Sequence, residues 1–280
     1  MTRALGVCSW SLQPSSPADL VEKVNSCGVR NVQLALDPIR TGEWNLKETQ
    51  TLLRNANITI ASGMMAMEGE DYTSLETIAA TGGVLPDATW SGNFAAARAN
   101  ANIAKQLGLR LLTFHAGVIP HDLNDPKRTV VLDRVRAIVD VFLANDVNIA
   151  LETGQEPAPE MMKALAEIGR PSLGVNFDPA NMILYGQGEP FASLECFSWR
   201  ILQIHMKDAK KPAVAGTWGT EVPSGTGDVN WSRMCERIET LHLNCNLMIE
   251  REAGAERVSD IRFSRRLAEY KLNFQAKLIN

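Results

Sequence analysis

The stretch GVNFDPANMILYGQG, residues 174–188, contains the pattern on which the fold prediction rests. Val175 and Phe177 alternate with polar residues, as expected for a β-strand. Pro179 has no N–H to donate and favours an extended conformation in the residue before it, so the strand should end at Asp178. A carboxylate therefore stands where a strand passes into a loop. In barrels and open sheets of the α/β class, that edge carries the chemistry.

Seven other segments show the same strand pattern, and helical segments alternate with them. The predicted strands are 5–9, 31–36, 58–64, 111–115, 148–152, 174–178, 201–207 and 246–250, and the predicted helices are 17–27, 46–55, 75–80, 94–107, 130–144, 159–168, 191–198, 231–241 and 258–267. A polar insertion at 66–92 and a long loop at 209–228 interrupt the alternation. Strands joined by crossovers pair in parallel, and eight such units fit a (β/α)₈ TIM barrel.

The predicted fold class is therefore α/β, with residues 1–280 forming a single TIM barrel domain. A doubly wound open sheet is the competing architecture. It would more typically carry a glycine-rich phosphate turn after its first strand, and the residues that follow the first strand here, CSWSLQ at 8–13, do not form one.

Composition narrows the class of protein. The 280 residues are 45% hydrophobic and 21% charged, as in ordinary globular domains, and the net charge is −4. Without a basic run, nucleic-acid binding is not expected, and without an apolar run of about 18 residues no membrane span is expected. The five cysteines have no metal-site spacing and are interpreted as reduced core residues, which favours a cytoplasmic enzyme.

Four consecutive predicted strands end in residues that can bind a metal. These are Glu152, Asp178, His205 and Glu250. In a barrel these strands are neighbours, so the four side chains should meet at one rim. A single acidic residue at a strand end is more often a cap or half of a salt bridge, but four in succession favour one divalent cation, Mn²⁺, Mg²⁺, Co²⁺ or Zn²⁺. Without a cation the three carboxylates would repel each other.

Longer motifs around these residues resemble a known family. The chain resembles the xylose isomerase-like (β/α)₈ superfamily, in particular its sugar phosphate isomerase/epimerase branch. The resemblance covers essentially the whole chain and rests on LETG (151–154), NFDPANM (176–182), IHMKDA (204–209), GTEVPSGTGDVNW (219–231) and MIEREAG (248–254). In the ketose 3-epimerases of this superfamily, residues in the order Glu, Asp, His, Glu bind one divalent cation. The resemblance implies the same role for Glu152, Asp178, His205 and Glu250.

One position departs from those epimerases. They have a histidine three residues after the ligand aspartate, where this chain has Asn181, so the narrower label of ketose 3-epimerase does not follow.

Two carboxylates beside a Lewis acid predict enediolate chemistry. A divalent ion that chelates a sugar carbonyl and the adjacent hydroxyl acidifies the C–H between them, and Glu152 and Glu250 can act as the acid/base pair. The predicted enzyme is an isomerase or epimerase of a sugar, keto sugar or sugar phosphate. The alternative is a metal-dependent lyase or dehydratase acting on an inosose or 3-keto sugar, and the sequence does not choose between them.

Weaker candidates surround this set, and each also has a purely structural interpretation. Lys207 should face the same side as His205, where it could stabilise an oxyanion or neutralise nearby carboxylates. The candidate substrate-binding residues are His115, Asn181, Trp10, Trp218 and Glu252. Glu156 is expected to be solvated. The glycine-containing stretch 224–227 could bind a phosphate or form a flexible turn.

Other functions fit the sequence less well. A phosphodiesterase similar to the endonuclease IV-like members of the superfamily would need a histidine-rich zinc cluster and a basic surface, and the chain has four histidines and a net charge of −4. A non-catalytic sugar-binding barrel is disfavoured because the carboxylates are present. The expected partner is a small sugar, and the resemblance implies a homo-oligomer, a dimer or tetramer, although no interface can be recognised in the sequence.

Overall fold

Eight parallel strands close into a barrel in the computed structural model of the protein, which describes residues 3–272. The barrel strands are β1 (Leu5–Cys8), β2 (Asn31–Ala35), β3 (Thr59–Met64), β4 (Leu111–Phe114), β5 (Asn148–Glu152), β6 (Leu173–Phe177), β7 (Ile201–Met206) and β10 (Asn246–Ile249). Two short strands, β8 (Asp208–Lys210) and β9 (Thr220–Val222), pair separately as an antiparallel hairpin. Around the barrel the order is β1-β10-β7-β6-β5-β4-β3-β2, which confirms the predicted (β/α)₈ fold.

Helices cover the outside of the barrel. They are α1 (Pro17–Cys27), α2 (Asp37–Arg40), α3 (Leu46–Asn55), α4 (Leu75–Thr81), α5 (Asp87–Leu107), α6 (Pro126–Leu143), α7 (Ala158–Ile168), α8 (Pro179–Leu184), α9 (Pro190–Phe197), α10 (Trp231–Thr240) and α11 (Arg257–Lys271). Local chemistry sets their ends. The Ser16 side chain accepts from the backbone N–H of Asp19 at the start of α1, and Gly28 ends the helix with φ +73°.

Two of these helices, α2 and α8, were not predicted, and α8 positions the site. The strand ends at Phe177 as Pro179 requires, but α8 then begins at once because Asp178 caps it. The Oδ1 atom of Asp178 accepts from the backbone N–H groups of Ala180 at 2.8 Å and Asn181 at 3.0 Å. This fixes the carboxylate and leaves Oδ2 directed elsewhere.

Between strands and helices the core is apolar, but inside the barrel lies a polar layer. It consists of Cys8, Gln33, Ser62, Thr113, Asn176 and Gln203, all fully buried. The side chains satisfy one another: Gln33 Nε2 donates to Thr113 Oγ1 at 2.7 Å, and Ser62 Oγ donates to Gln203 Oε1 at 2.7 Å. Bulky apolar residues usually fill a TIM barrel, so this layer marks the part of the interior under the site.

The cysteines are free thiols, as predicted, but not all of them lie in the core. All five cysteines are free thiols, four of them buried and Cys196 half-buried. Across residues 3–272, no helix combines the length and the apolar character that crossing a bilayer requires.

Candidate metal centre and active site

The four predicted strand-end residues converge at the carboxyl end of the barrel. Nδ1 of His205 lies 3.3 Å from Glu152 Oε1, 3.3 Å from Glu250 Oε2 and 4.0 Å from Asp178 Oδ2. One ligand atom from each residue lies within 4.8 Å of every other, and all four side chains are buried. The neighbouring strands β5, β6, β7 and β10 bring them together, as parallel pairing around a barrel requires.

Three of the facing atoms lack a hydrogen-bond partner within residues 3–272. They are Asp178 Oδ2, His205 Nδ1 and Glu250 Oε2. Buried polar atoms are normally hydrogen-bonded, so Asp178 Oδ2 and His205 Nδ1 need a common partner, and Glu250 Oε2, which has the Lys207 ammonium group 3.0 Å away in an ion pair, can share it. Three carboxylates and one imidazole form the oxygen-rich donor set that divalent cations such as Mg²⁺, Mn²⁺ or Zn²⁺ accept. The residues therefore fit one divalent cation.

The polar layer holds His205 in the tautomer that such a site needs. His205 Nε2 lies 2.8 Å from Gln33 Oε1. That oxygen also accepts from Gln203 Nε2 at 2.8 Å, while the Gln33 Nε2 group donates to Thr113. Because Gln33 presents its carbonyl oxygen, it favours a proton on Nε2 of His205, and the Asn176 Nδ2 group, 2.9 Å from that nitrogen, donates to Glu152 Oε2 at 3.2 Å instead. Nδ1 is then the nitrogen that can bind a cation once it has lost its proton.

Electrostatics divides the carboxylates into two kinds. Burial raises the pKa of Asp178 well above its ordinary value, and the charges of Glu250 and Glu152 add to this. Burial opposes ionisation of Glu250, but Lys207 and His205 outweigh it and hold its pKa well below its ordinary value. The pKa of Glu152 is also lowered, against burial, chiefly by His205 and His115. Glu152 and Glu250 are thus the carboxylates that are ionised near neutral pH and available to accept a proton.

Lys207 lies beside the four candidate metal ligands and forms ion pairs with nearby carboxylates. Its Nζ atom lies 3.0 Å from Glu250 Oε2, 2.6 Å from Glu252 Oε2 and 3.9 Å from Asp178 Oδ2. Burial disfavours the ammonium group, but these carboxylates, Glu250 first, raise the pKa of Lys207 well above its ordinary value. Lys207 therefore neutralises the Glu250 side of the site.

A cavity of about 480 Å³ opens above these residues, and the remaining sequence candidates lie on its walls. Trp10 Nε1 donates to Glu250 Oε1 at 2.7 Å. Asn181 Nδ2 donates to Glu152 Oε1 at 3.0 Å, and His115 Nε2 lies 3.6 Å from the same oxygen. Trp218 and Glu252 stand farther out on the wall. Glu152 and Glu250 therefore each have at least one oxygen held by a neighbouring side chain.

Sequence reasoning missed several wall residues. They are Met64, Glu70, Tyr72, Leu184, Tyr185 and Glu221. Glu70 and Tyr72 belong to the insertion after β3, and Glu221 belongs to β9. No local motif distinguishes these residues, because their segments reach the cavity only through the closure of the barrel. The unusual length of the insertion was the one available signal.

Comparison with known proteins assigns the family. The model of the xylose isomerase-like TIM barrel family matches residues 21–267. The chain belongs to this xylose isomerase-like family. No functionally curated protein matches the chain in sequence.

Solved structures of xylose isomerase-like proteins resemble the chain over nearly its whole length. A xylose isomerase domain protein from Planctomyces limnophilus has a TM-score of 0.84 and 28% identity, covering 90% of this chain and 93% of that one. The probable 3-DHS dehydratase AsbF from Bacillus anthracis has a TM-score of 0.71 and 18% identity, covering 95% and 98%. A D-allulose 3-epimerase from Methylomonas sp. has a TM-score of 0.73 and 14% identity, covering 97% and 98%. The last two similarities show the shared fold.

One minor expectation for this xylose isomerase-like chain was wrong. Glu156 is buried rather than solvated, with 1% of the residue exposed. Its Oε1 atom accepts from the backbone N–H of Ile119 at 2.6 Å, and its Oε2 atom contacts His121 Nε2. The loop after β4 supplies both partners. Glu156 therefore fastens that loop to the start of α7.

The glycine-containing stretch 224–227 wraps around a carboxylate of the protein itself. The Asp208 side chain accepts from the backbone N–H groups of Gly225 at 2.7 Å, Gly227 at 3.0 Å and Val229 at 3.0 Å. A Cβ atom on Gly227 would lie 2.2 Å from Asp208 Oδ1, so only glycine permits this approach. The concave turn was recognisable from sequence, but its occupant was not.

Proposed function

We propose that the protein is a divalent-metal-dependent isomerase or epimerase of a sugar, keto sugar or sugar phosphate that works through an enediolate. The supporting observation is the placement of Glu152 and Glu250. Both carboxylates line the cavity, and each has one oxygen 3.3 Å from Nδ1 of His205. Within the family, the D-allulose 3-epimerase of the same fold is consistent with this reaction class.

The proposed chemistry assigns distinct tasks to the side chains. A divalent cation held by Glu152, Asp178, His205 and Glu250 would supply the Lewis acidity that acidifies the C–H beside a carbonyl. One glutamate removes that proton as a carboxylate, and the other, after it has taken up a proton from water, returns a proton. Return to the opposite face of the same carbon gives an epimer, and return to the neighbouring carbon gives an isomer.

Three neighbouring side chains position or charge-stabilise the glutamates for this role. The Trp10 N–H fixes one oxygen of Glu250, and Lys207 holds positive charge against the other. Asn181 fixes Glu152 from α8. Since both pKa values are lowered, both residues are carboxylates near neutral pH, and each can serve as the base.

A lyase or dehydratase of an inosose or 3-keto sugar is the second candidate. Lys207 and His115 stand on the cavity wall beside the two glutamates and could give a proton to a departing hydroxyl group. The probable dehydratase of the same fold keeps this reaction class open.

Proton NMR in D₂O tests both candidates. Protein loaded with Mn²⁺ would be incubated with ketoses, 3-keto sugars and their phosphates, and the ion removed before the spectra are recorded. Deuterium at one carbon, with inversion there or transfer of the carbonyl, supports the proposal. Loss of water with a new vinylic signal supports the lyase. No exchange with any sugar, in protein shown to bind the ion, would reject both.

A further inference from the structure

The cavity has an aromatic outer wall. Tyr72, Tyr185 and Trp218 line it, and Tyr185 and Trp218 meet edge to face with ring centroids 4.7 Å apart. Leu184 continues this wall. The C–H face of a sugar packs well against such rings, whereas a phosphate group does not. The carboxylates of the proposed metal site and these aromatic rings therefore favour different parts of a ligand.

Trp218 also offers a hydrogen bond. Its indole N–H is shielded from solvent and has no partner within residues 3–272. A shielded donor without a partner costs free energy unless a ligand satisfies it. Because Trp218 lines the cavity, a hydroxyl oxygen of a bound sugar could accept from it.

Charge on the cavity wall opposes an anionic ligand. The carboxylates that line it are Glu70, Glu152, Glu221, Glu250 and Glu252. Among the described residues on the wall, Lys207 is the only one with an ammonium or guanidinium group, and it already contacts Glu250 and Glu252. Arg251 forms ion pairs with the wall residue Glu221 at 2.7 Å and with Asp260 at 2.9 Å. The proposed cation would offset charge only at the carboxylates that bind it, which leaves Glu70, Glu221 and Glu252 on the wall. A phosphate carries a charge of roughly −1.5 to −2 near neutral pH and would be repelled by them.

The loop that could have bound a phosphate is also occupied. The Asp208 carboxylate accepts hydrogen bonds from the backbone N–H groups of Gly225, Gly227 and Val229. A second anion would therefore have to displace this fully buried carboxylate. The carboxylate and a phosphate would compete for the same donors.

From these observations we infer that the site binds an uncharged sugar rather than a sugar phosphate. We also infer that Trp218, with Tyr185, binds the part of the sugar that lies away from Glu152, Asp178 and Glu250. The inference rests on the proposed function and narrows its substrate class. Trp218 then determines specificity by stacking on the ring and donating to a hydroxyl group.

Ligand binding tests the inference without relying on turnover. Protein loaded with Mg²⁺ would be titrated with D-fructose, D-allulose, D-tagatose and D-sorbose and with the 6-phosphate of each, and dissociation constants measured by calorimetry. At least one free sugar should bind about tenfold more tightly than its phosphate. Trp218→Ala should weaken that binding by about tenfold, the size expected when an aromatic contact is lost.

Two further variants give the comparison its controls. Trp218→Phe keeps a ring but removes the N–H, so it should bind between wild type and Trp218→Ala. Trp199→Ala removes an indole that is 68% exposed at the surface and should leave binding unchanged. Circular dichroism of each variant would establish that it is folded.

The outcomes separate this inference from the proposed function. Equal or tighter binding of the phosphates, loss of no affinity in Trp218→Ala, or binding of none of the free sugars would overturn the inference. Selective, Trp218-dependent binding of a free sugar without deuterium exchange from D₂O would support the inference and reject the proposed reaction instead.

Discussion

Gln33 Oε1 lies 2.8 Å from Nε2 of His205, on the side of the imidazole opposite the three carboxylates. The contact joins a residue of β2 to a residue of β7 across the barrel interior. The Gln33 carbonyl oxygen favours a proton on Nε2 of His205, so that Nδ1 is the nitrogen available to a cation. A buried amide with no part in the chemistry thereby prepares the site for a cation.

Replacing Gln33 should therefore weaken metal binding. Gln33→Leu removes the acceptor for the His205 Nε2–H, and we expect the affinity for Mn²⁺ to fall by about 10- to 100-fold. Gln33→Glu keeps an acceptor and should retain more of the affinity. Calorimetric titration with Mn²⁺ measures both, with the exposed Gln106→Leu on α5 as the matched control. Equal affinity in Gln33→Leu and wild type would contradict the assigned role.

Metal binding should strengthen as the pH rises. The surrounding charges hold the pKa of His205 above its ordinary value, and burial raises that of Asp178, so both groups keep protons to higher pH. A cation must displace these protons, and its dissociation constant should fall about tenfold per pH unit for each proton released. Titration in two buffers of different ionisation enthalpy counts the protons. Asp178→Asn should release fewer, and a pH-independent dissociation constant would refute the linkage.

Exchange of substrate protons should require both glutamates. Glu152→Gln and Glu250→Gln each remove a proton acceptor, and deuterium incorporation from D₂O should fall by about 10²- to 10⁴-fold. Glu236→Gln on the exposed face of α10 should exchange at the wild-type rate. A double variant Glu152→Gln/Glu250→Gln with wild-type exchange would exclude the proposed acid/base pair.

Trp10 should affect the rate more than metal binding. Trp10→Phe removes the 2.7 Å hydrogen bond to Glu250 Oε1 but leaves the other ligand contacts in place. Loss of a hydrogen bond to a charged group should slow deuterium exchange by about tenfold or more. Trp90→Phe is the control, since Trp90 stacks on Phe94 outside the cavity. If both variants exchange at the wild-type rate, Trp10 has no positioning role.

Asp208 should stabilise one wall of the cavity. Asp208→Ala leaves the N–H groups around its side chain without an acceptor, and the free energy of unfolding should fall by about 3 kcal/mol. Because β8 pairs with β9, which carries Glu221, sugar binding should weaken as well. Thermal unfolding and sugar titration measure the two effects. The exposed Glu43→Ala is the control, and an Asp208→Ala variant as stable as wild type would contradict this account.

The fold was predictable because each strand and crossover has a local signature. β5 was predicted with the bounds that the structure shows, and α3 likewise. Helix α5 begins at Asp87 instead of residue 94, because it continues through Gly92, which the sequence suggested would lie outside a helix. The start of α8 after Asp178 and Pro179 was missed although both are favourable at a helix N-terminus.

The candidate site was predictable only as far as strand ends reveal it. Glu152, Asp178, His205 and Glu250 converge because neighbouring parallel strands end at one rim. Gln33 and Gln203 could not be recognised, since an amide in a strand gives no sign that it points into a closed barrel. The roles of Tyr72 and Tyr185 also depend on chain segments that meet only in the folded protein.

The outer wall of the cavity comes from connections rather than from barrel strands. Tyr72 belongs to the insertion after β3, and Trp218 belongs to the segment between β8 and β9. In the proposed function, the residues that react with the sugar and those that select it therefore belong to separable parts of the chain. Exchanging these two segments for others should redirect the enzyme to new sugars while its barrel stays untouched, which makes them the natural targets for engineering.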